Sequence, residues 1–422
     1  MLKIALVGFG TVGQSVARIL CSDAHPRLRL THIANRNVER KKVDWVPADV
    51  VWTEQVSQVV ESEADVVVEV IGGVEPAATW IHRFLRAGKS VVTANKEVVA
   101  QCGVGLLTLA REQQCHVLFE AAVAGGIPVV RGVREGLAGD QLCRVLGILN
   151  GTCNYVLTRM EMAQVSFADA LTEAQSLGYA EADPTADVDG TDAQAKLAIL
   201  SMVGLRRQID APTIPLASIR AIEPLDFIYA RRLECTIRQV ARAELVGGDR
   251  RVLASVMPSL VPLSSTLAHI EGNQNVVVVE GTIGGETAFS GYGAGGDPTA
   301  VAVVSDLESI ARGHTDAAAE WQISRAECVE REFMAPHYVR FIVSDRPGII
   351  AALADVFSRH GVNVDSVLQE PGCPKAQLPF VVTLESCSST AVSAALVEIE
   401  SFDFHTQRPL CLPILVRGQR RS

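Results

Sequence analysis

A short apolar run, Leu2 to Val7, ends in Gly8-Phe-Gly10-Thr-Val-Gly13, and Val12, Val16, Ile19 and Leu20 follow at helical spacing. A strand, a glycine-rich turn and a helix in that order constrain the fold of this chain more than any other feature. In such a unit the first glycine permits a tight turn and the second lets backbone approach a pyrophosphate. The third lets the helix pack closely on the strand. The helix N-terminus then offers unpaired N–H groups and the positive end of its dipole to phosphate. Gly8, Phe9, Gly10, Thr11, Val12 and Gly13 are therefore candidate cofactor-binding positions. A plain strand-turn-helix is the alternative, and the flanking pattern argues against it.

The next strand, Leu28 to Ala34, ends in Asn35-Arg36. An acid at such a tip holds a ribose 2′-hydroxyl, whereas an arginine accommodates a 2′-phosphate. No acid stands at 34–37, and Lys41-Lys42 add positive charge, which favours NADP(H) through Arg36 and leaves NAD(H) possible. Asp65 to Ile71 is a continuous apolar run, as in a parallel strand covered on both faces. Gly72-Gly73 and a helix from about Glu75 to Ala87 follow, and the next strand ends in Thr93-Ala-Asn-Lys96. Ligands gather at the carboxyl ends of parallel strands, so Gly72, Thr93, Asn95 and Lys96 are expected to line the site. These features make residues 1–130 an α/β, Rossmann-type dinucleotide-binding domain.

With 422 residues the chain is long enough for two or three domains. Its net charge of −10 argues against a nucleic-acid groove or an anionic membrane surface as partner. Ten scattered cysteines show neither CxxC nor zinc spacing and read as reduced thiols. No charged leader precedes the first strand and no apolar run reaches membrane-spanning length, so a cytoplasmic location is expected. The basic tail at 417–422 is expected to fray.

Chemistry concentrates between Ala174 and Lys196. Glu181, Asp183, Asp187, Asp189 and Asp192 crowd a loop and a helix start, and then one lysine appears. Asp183-Pro184 reads as a turn. After Gly190 a helix begins, placing Asp192 and Lys196 four apart on one face. Lys196 is followed by Leu-Ala-Ile-Leu, which implies a half-buried amine. Desolvation lowers a lysine's pKa, as a general base near neutrality requires. Taken alone, the pair also reads as a solvated surface ion pair. Asp187-Val-Asp-Gly190 echoes a calcium loop but lacks the third ligand in phase and the bidentate glutamate.

The ordered string Gly178-Tyr-Ala, Asp183-Pro, Asp187-Val-x-Gly190-x-Asp192 and Lys196 resembles the signature of homoserine dehydrogenases. Thr93-Ala-Asn-Lys96, Asn150-Gly-Thr-x-Asn154 and the glycine loop Tyr292 to Pro298 extend the resemblance. It implies reversible NAD(P)-dependent oxidation of L-homoserine to L-aspartate 4-semialdehyde in threonine, methionine and isoleucine biosynthesis. It implies an α+β substrate-binding and dimerisation domain over 131–297, with helix 298–314 returning to complete the first domain, and a homodimer or homotetramer. Lys196 is then the catalytic proton-transfer residue, its pKa lowered by burial and by the Lys96 cation. Glu181 would hold the substrate ammonium, Asp192 would bind substrate and orient Lys196, Thr152 would contact substrate, and Asp187 would organise them. Gly178 and Gly295 would approach the cofactor. The resemblance also implies a structural sodium-like ion held by Glu120, Val123, Gly125 and Ile127. The residues alone read there as a loop with a satisfied glutamate.

Residues 315–336 read as a linker, and a second alternation of strands and helices occupies 337–412. Its β-α-β-β-α-β order is the ferredoxin-like plan. Asp345-Arg-Pro-Gly348 and Gly361-Val-Asn-Val resemble an ACT domain, a sensor of small amino acids, and the resemblance names L-threonine as the effector. A domain with its own elements is expected to fold separately; the alternative is an assembly domain without ligand. Two rivals to the whole reading are another amino-acid dehydrogenase and a non-catalytic amino-acid-sensing regulator. Glu181 with the Asp-Pro run argues against the first, and the presence of both Lys196 and Asp192 against the second.

Overall fold

The computed structural model describes residues 1–248, 250–313 and 322–416, so the basic tail lies outside the described residues. Six strands, β1 Leu2–Val7, β2 Leu28–Ala34, β3 Val51–Thr53, β4 Val66–Glu69, β5 Ser90–Thr93 and β6 Val117–Leu118, form one sheet in the order β3-β2-β1-β4-β5-β6. Every neighbouring pair is parallel. Chain order reverses between β1 and β4, which opens a crevice at their carboxyl ends. The third glycine of the opening motif is required where helix Thr11–Leu20 starts. A Cβ on Gly13 would stand 2.2 Å from the Gly8 carbonyl oxygen.

Helix Gly296–Ala311 returns to this domain. Its Val303 and Leu307 share a core with Ile4, Leu6 and Val16, and Ser15 Oγ donates to Asp297 Oδ1 at 2.7 Å. The helix opens at Gly296, two residues earlier than expected; position 314 lies outside the described residues.

The middle of the chain builds a second sheet from β7 Leu142–Ile148, β9 Cys235–Val246, β10 Arg251–Pro262, β11 Gln274–Gly281 and β12 Gly285–Tyr292. Its order is β12-β11-β7-β9-β10, with β14 Val329–Glu330 completing it beside β10. The stretch expected to be a linker is not structureless. Its residues 315–321 lie outside the described residues, but β13 Ser324–Arg325 pairs with β8 Arg207–Gln208, and β14 pairs with β10. Helix Thr191–Leu200 packs between this sheet and helix Lys96–Glu112: Leu197 and Ala198 share one core with Val99, Leu106, Ala243 and Val256. That packing carries Lys196 toward the first domain.

The C-terminal unit comprises β15 Met334–Val343, helix Ile349–Arg359, β16 Val364–Gln369, β17 Leu378–Ser388, helix Ser389–Ile399 and β18 Leu410–Pro413. The sheet order β16-β17-β15-β18, with antiparallel neighbours, is ferredoxin-like. Its second strand starts at Val364 rather than Val362, because the chain first closes the helix through Gly361 and Val362, whose N–H bonds the Phe357 carbonyl at 2.9 Å.

The C-terminal unit has its own core around Phe341, Leu353 and Phe380, and it also packs on the preceding domain. Tyr338, Val381 and Leu412 of this sheet are buried in one cluster with Tyr155, Phe227, Tyr229 and Leu260 of the preceding domain. Beyond β18 the chain continues onto the second sheet, where Leu415 N donates to the Leu260 carbonyl at 2.8 Å. A sheet face this apolar needs cover, and here the catalytic part supplies it.

Candidate active site

A cleft of about 860 Å³ opens where the first domain meets the middle of the chain. Its walls include the start of helix Thr11–Leu20, the loops around Gly72 and Lys96, the start of helix Gly151–Ala163, and the acidic stretch from Leu177 to Lys196. The glycine loop Gly293–Gly296 forms part of its lining. Helix Thr11–Leu20 has no side-chain cap and no acid in its first turn, so its leading amides are uncompensated. A Cβ on Gly10 would meet nothing within 4 Å, which leaves open backbone beside those amides. Such a cradle suits a pyrophosphate.

Lys196 Nζ donates to Asp192 Oδ2 at 2.8 Å and to the Leu149 carbonyl at 2.9 Å. Lys96 Nζ lies 3.2 Å from the other oxygen, Asp192 Oδ1. The carboxylate thus stands between the two ammoniums. Burial pushes Asp192 up, but the charges of Lys196 and Lys96 override it and hold the carboxyl well below its ordinary range. For Lys96 burial works downward, and the Asp192 charge reverses it, leaving the ammonium raised. Asn150 Nδ2 donates to both Asp187 Oδ1 (2.7 Å) and Asp192 Oδ2 (2.9 Å). Asn275 Nδ2 donates to the Leu149 carbonyl at 3.0 Å, the same oxygen that receives Lys196.

Of the expected site residues, Thr11, Val12, Gly72, Lys96, Thr152, Gly178, Glu181, Asp187, Asp192, Lys196 and Gly295 all line the cleft. Thr152 Oγ1 donates to the Tyr179 carbonyl at 2.6 Å and so ties the start of helix Gly151–Ala163 to the acidic loop. Thr93 does not reach the cleft: it is fully buried, and its hydroxyl donates to Glu69 Oε2 at 2.6 Å. Its neighbour Asn95 caps helix Lys96–Glu112 by accepting from Val98 N at 3.2 Å, which aims the first residue of that helix at Asp192. The ring of Phe9 is buried against Trp52 and Trp45, so only its backbone is available to a ligand. Arg36 is exposed at the tip of β2. β3 brings an acid to this region that the local reading did not consider: Glu54 Oε1 accepts from Val38 N at 2.9 Å.

At the expected cation loop, Glu120 is buried and its two carboxylate oxygens accept from Val130 N (2.7 Å) and Arg131 N (2.8 Å). The Ile127 carbonyl accepts from Val129 N at 2.7 Å. Two of the four assigned donors are therefore already hydrogen-bonded, and the satisfied-glutamate reading describes the carboxylate. Gly125 is held at φ +51°, and a Cβ there would stand 2.6 Å from the Gly293 carbonyl oxygen. The loop is thus pressed against the glycine loop of the cleft.

Asn150 and Asn275 also line the cleft; Asn150 belongs to the segment that extends the family resemblance but carries no expected role, and neither residue titrates. Asn150 carried a local signal, standing just before a helix with its cap bond to Cys153 N. Asn275 lies inside a strand and carried none. Among the described residues no helix is long and apolar enough to cross a membrane.

The chain resembles known proteins over nearly its whole length. Residues 8–120 match the family model for the homoserine dehydrogenase NAD-binding domain, 128–307 that for homoserine dehydrogenase, and 337–400 that for the ACT domain. The chain is 38% identical over 418 residues to a homoserine dehydrogenase of Mycobacterium tuberculosis (strain ATCC 25618 / H37Rv), covering 95% of this chain and 94% of the relative. It is 35% identical over 405 residues to one of Bacillus subtilis (strain 168), covering 92% of each. Among solved structures, a homoserine dehydrogenase from Thiobacillus denitrificans superposes with a TM-score of 0.88 at 31% identity, covering 98% of both chains. A hyperthermophilic archaeal homoserine dehydrogenase in complex with NADPH matches 73% of this chain and 97% of its own, with a TM-score of 0.62 at 28% identity.

Proposed function

This chain belongs to the homoserine dehydrogenase family of oxidoreductases, and from that premise we propose that it interconverts L-homoserine and L-aspartate 4-semialdehyde with NADP(H) preferred over NAD(H). The observation that carries this reading is the Lys196–Asp192–Lys96 cluster, set in the same cleft as an uncapped helix N-terminus. A bound nicotinamide supplies or accepts the hydride. The protein's own groups manage the proton and the substrate. Lys196 exchanges a proton with the substrate oxygen, Asp192 fixes the direction of its amine, and Lys96 holds Asp192 ionised. Glu181, exposed on the cleft wall, receives the substrate ammonium, and Thr152 offers the lone pairs of its hydroxyl. Asp187 organises the group from behind. The NADPH complex of the archaeal relative and the exposed Arg36 support the cofactor preference.

A monovalent cation at the Gly125 loop would rest on the carbonyls of Val123 and Gly125, with the Glu120 charge behind them, and would stiffen the loop without entering the chemistry. Thermal melting in sodium against choline tests it, a higher melting temperature in sodium being expected. The ACT domain is proposed to bind L-threonine, and the active form to be a homodimer or homotetramer. The central experiment follows NADPH absorbance with homoserine against other hydroxy-amino acids. Turnover is expected with homoserine and lost with analogues whose ammonium is blocked.

A further inference from the structure

We propose that Asn150 is a positioning residue that allows Asp187 and Asp192 to stand as two carboxylates beside Lys196; this rests on the reading of Lys196 as the proton-exchanging group. Asn150 is 4% exposed and every polar atom of its side chain is used. Its Oδ1 accepts from Cys153 N at 2.8 Å, capping helix Gly151–Ala163. The two N–H groups of Nδ2 serve Asp187 Oδ1 and Asp192 Oδ2. A reversed amide would set donors against the Cys153 N–H, so the cap dictates that donors face the carboxylates.

The charged groups around this amide come from every neighbouring element. Helix Thr191–Leu200 presents Asp192 and Lys196, and helix Lys96–Glu112 presents Lys96. Helix Gly151–Ala163 presents the Cys153 thiol, which donates to the Asp187 carbonyl at 3.1 Å, and the loop presents Glu181. Asp192 has cations on both oxygens, whereas Asp187 has none bonded to it among the described residues. Burial raises the Asp187 carboxyl first, the Asn150 hydrogen bond lowers it, and the Asp192 charge raises it again. Without the amide donors Asp187 would hold a proton to higher pH and turn it toward Asp192. It would then compete with Lys196 for Oδ2, and the aim of the amine would be lost.

The test uses the full chain with Asn150→Ser and Asn150→Asp, because serine and aspartate both cap helices well. Serine keeps the cap and removes both donors; aspartate keeps the shape and adds a third negative charge. The expected result for Asn150→Ser is a loss of roughly tenfold to a hundredfold in kcat/KM for homoserine, the scale of lost charge-assisted hydrogen bonds. Its acid limb should move to higher pH, NADPH binding read by fluorescence should be unchanged, and Asn150→Asp should be worse. A packing role orders the variants the other way, since aspartate matches asparagine in shape. Asn150→Asp outperforming Asn150→Ser, or an acid limb that stays in place, overturns the proposal. Lys196→Met separates the two readings. Near-normal turnover there overturns the parent reading, whereas a slow Lys196→Met beside a normal Asn150→Ser overturns this one alone.

Discussion

The hydroxyl of Tyr338 donates to Asp226 Oδ1 at 2.7 Å, and both residues are 0% exposed. Tyr338 belongs to the first strand of the ACT-domain sheet, and Asp226 to helix Pro224–Arg232 of the preceding domain. Arg340, two residues along the strand, bonds the other Asp226 oxygen and the Ala221 carbonyl at 3.2 Å. A buried carboxylate deprived of one partner keeps its desolvation cost. Tyr338→Phe is therefore expected to lower unfolding stability by about 1.5–3 kcal/mol, measured by chemical denaturation.

The same contacts bear on removal of the ACT domain. A chain ending near Glu330 bares the apolar cluster around Phe227 and Tyr229 and strands Asp226 without its cation. It is expected to aggregate or melt at lower temperature rather than persist as a threonine-insensitive enzyme. Size-exclusion chromatography and circular dichroism decide it, a monodisperse and fully active truncation being the contrary result.

Lys196→Ala should leave the fold and NADPH binding intact while lowering kcat by about 10²–10⁴, the usual contribution of one acid–base group. Near-normal turnover across the pH range would falsify the assignment.

Arg36→Ala should weaken NADPH more than NADH, because only NADPH carries the 2′-phosphate that a guanidinium can bind. Dissociation constants from fluorescence titration show this directly. Equal changes for both would mark Arg36 as a bystander, with Glu54 the next residue to vary.

Millimolar threonine is expected to inhibit the full-length enzyme, and Gly348→Asp to relieve that inhibition. The reason is backbone strain. Gly348 holds φ +96°, and a Cβ there meets nothing within 4 Å, so crowding is not what the substitution introduces. Activity assays with and without threonine on the wild type and the variant test it; an unresponsive wild type sinks the sensor reading.

His337 lies buried in the ACT-domain sheet, and burial pushes its imidazole down to about 4. Between that value and the ordinary value near 6.5, the unfolded chain binds a proton that the folded chain refuses. Stability from this group is complete above pH 6.5 and falls as pH drops toward 4, by roughly 3 kcal/mol at the lower limit. Denaturation midpoints at pH 7.5 and 4.5 should therefore diverge less for His337→Gln than for the wild type.

Local order was legible because local chemistry writes it. The Gly8–Gly13 turn, the apolar run of β4, the helical spacing after Gly190 and the β-α-β-β-α-β plan each follow from steric or periodic rules over a few residues. Asp192 and Lys196 share a helix face for the same reason, and their pairing was visible before any fold was known.

What periodicity cannot name is the partner of a buried face. Nothing local brings Lys96 to Asp192, turns Glu120 onto the amides of Val130 and Arg131, or sets Asn275 against Leu149. Those pairings arise when separate helices and strands pack and each buried charge or amide must find a complement within reach. The ACT-domain sheet makes the same point on a larger scale. Its alternation marks Val339, Phe341 and Val343 as one face, which the unit's own helices cover, but the opposite face, with Tyr338 and Arg340, is equally satisfied by a second copy or a neighbouring domain. Only the packed chain, with Tyr338 and Arg340 closed on Asp226, decides among them.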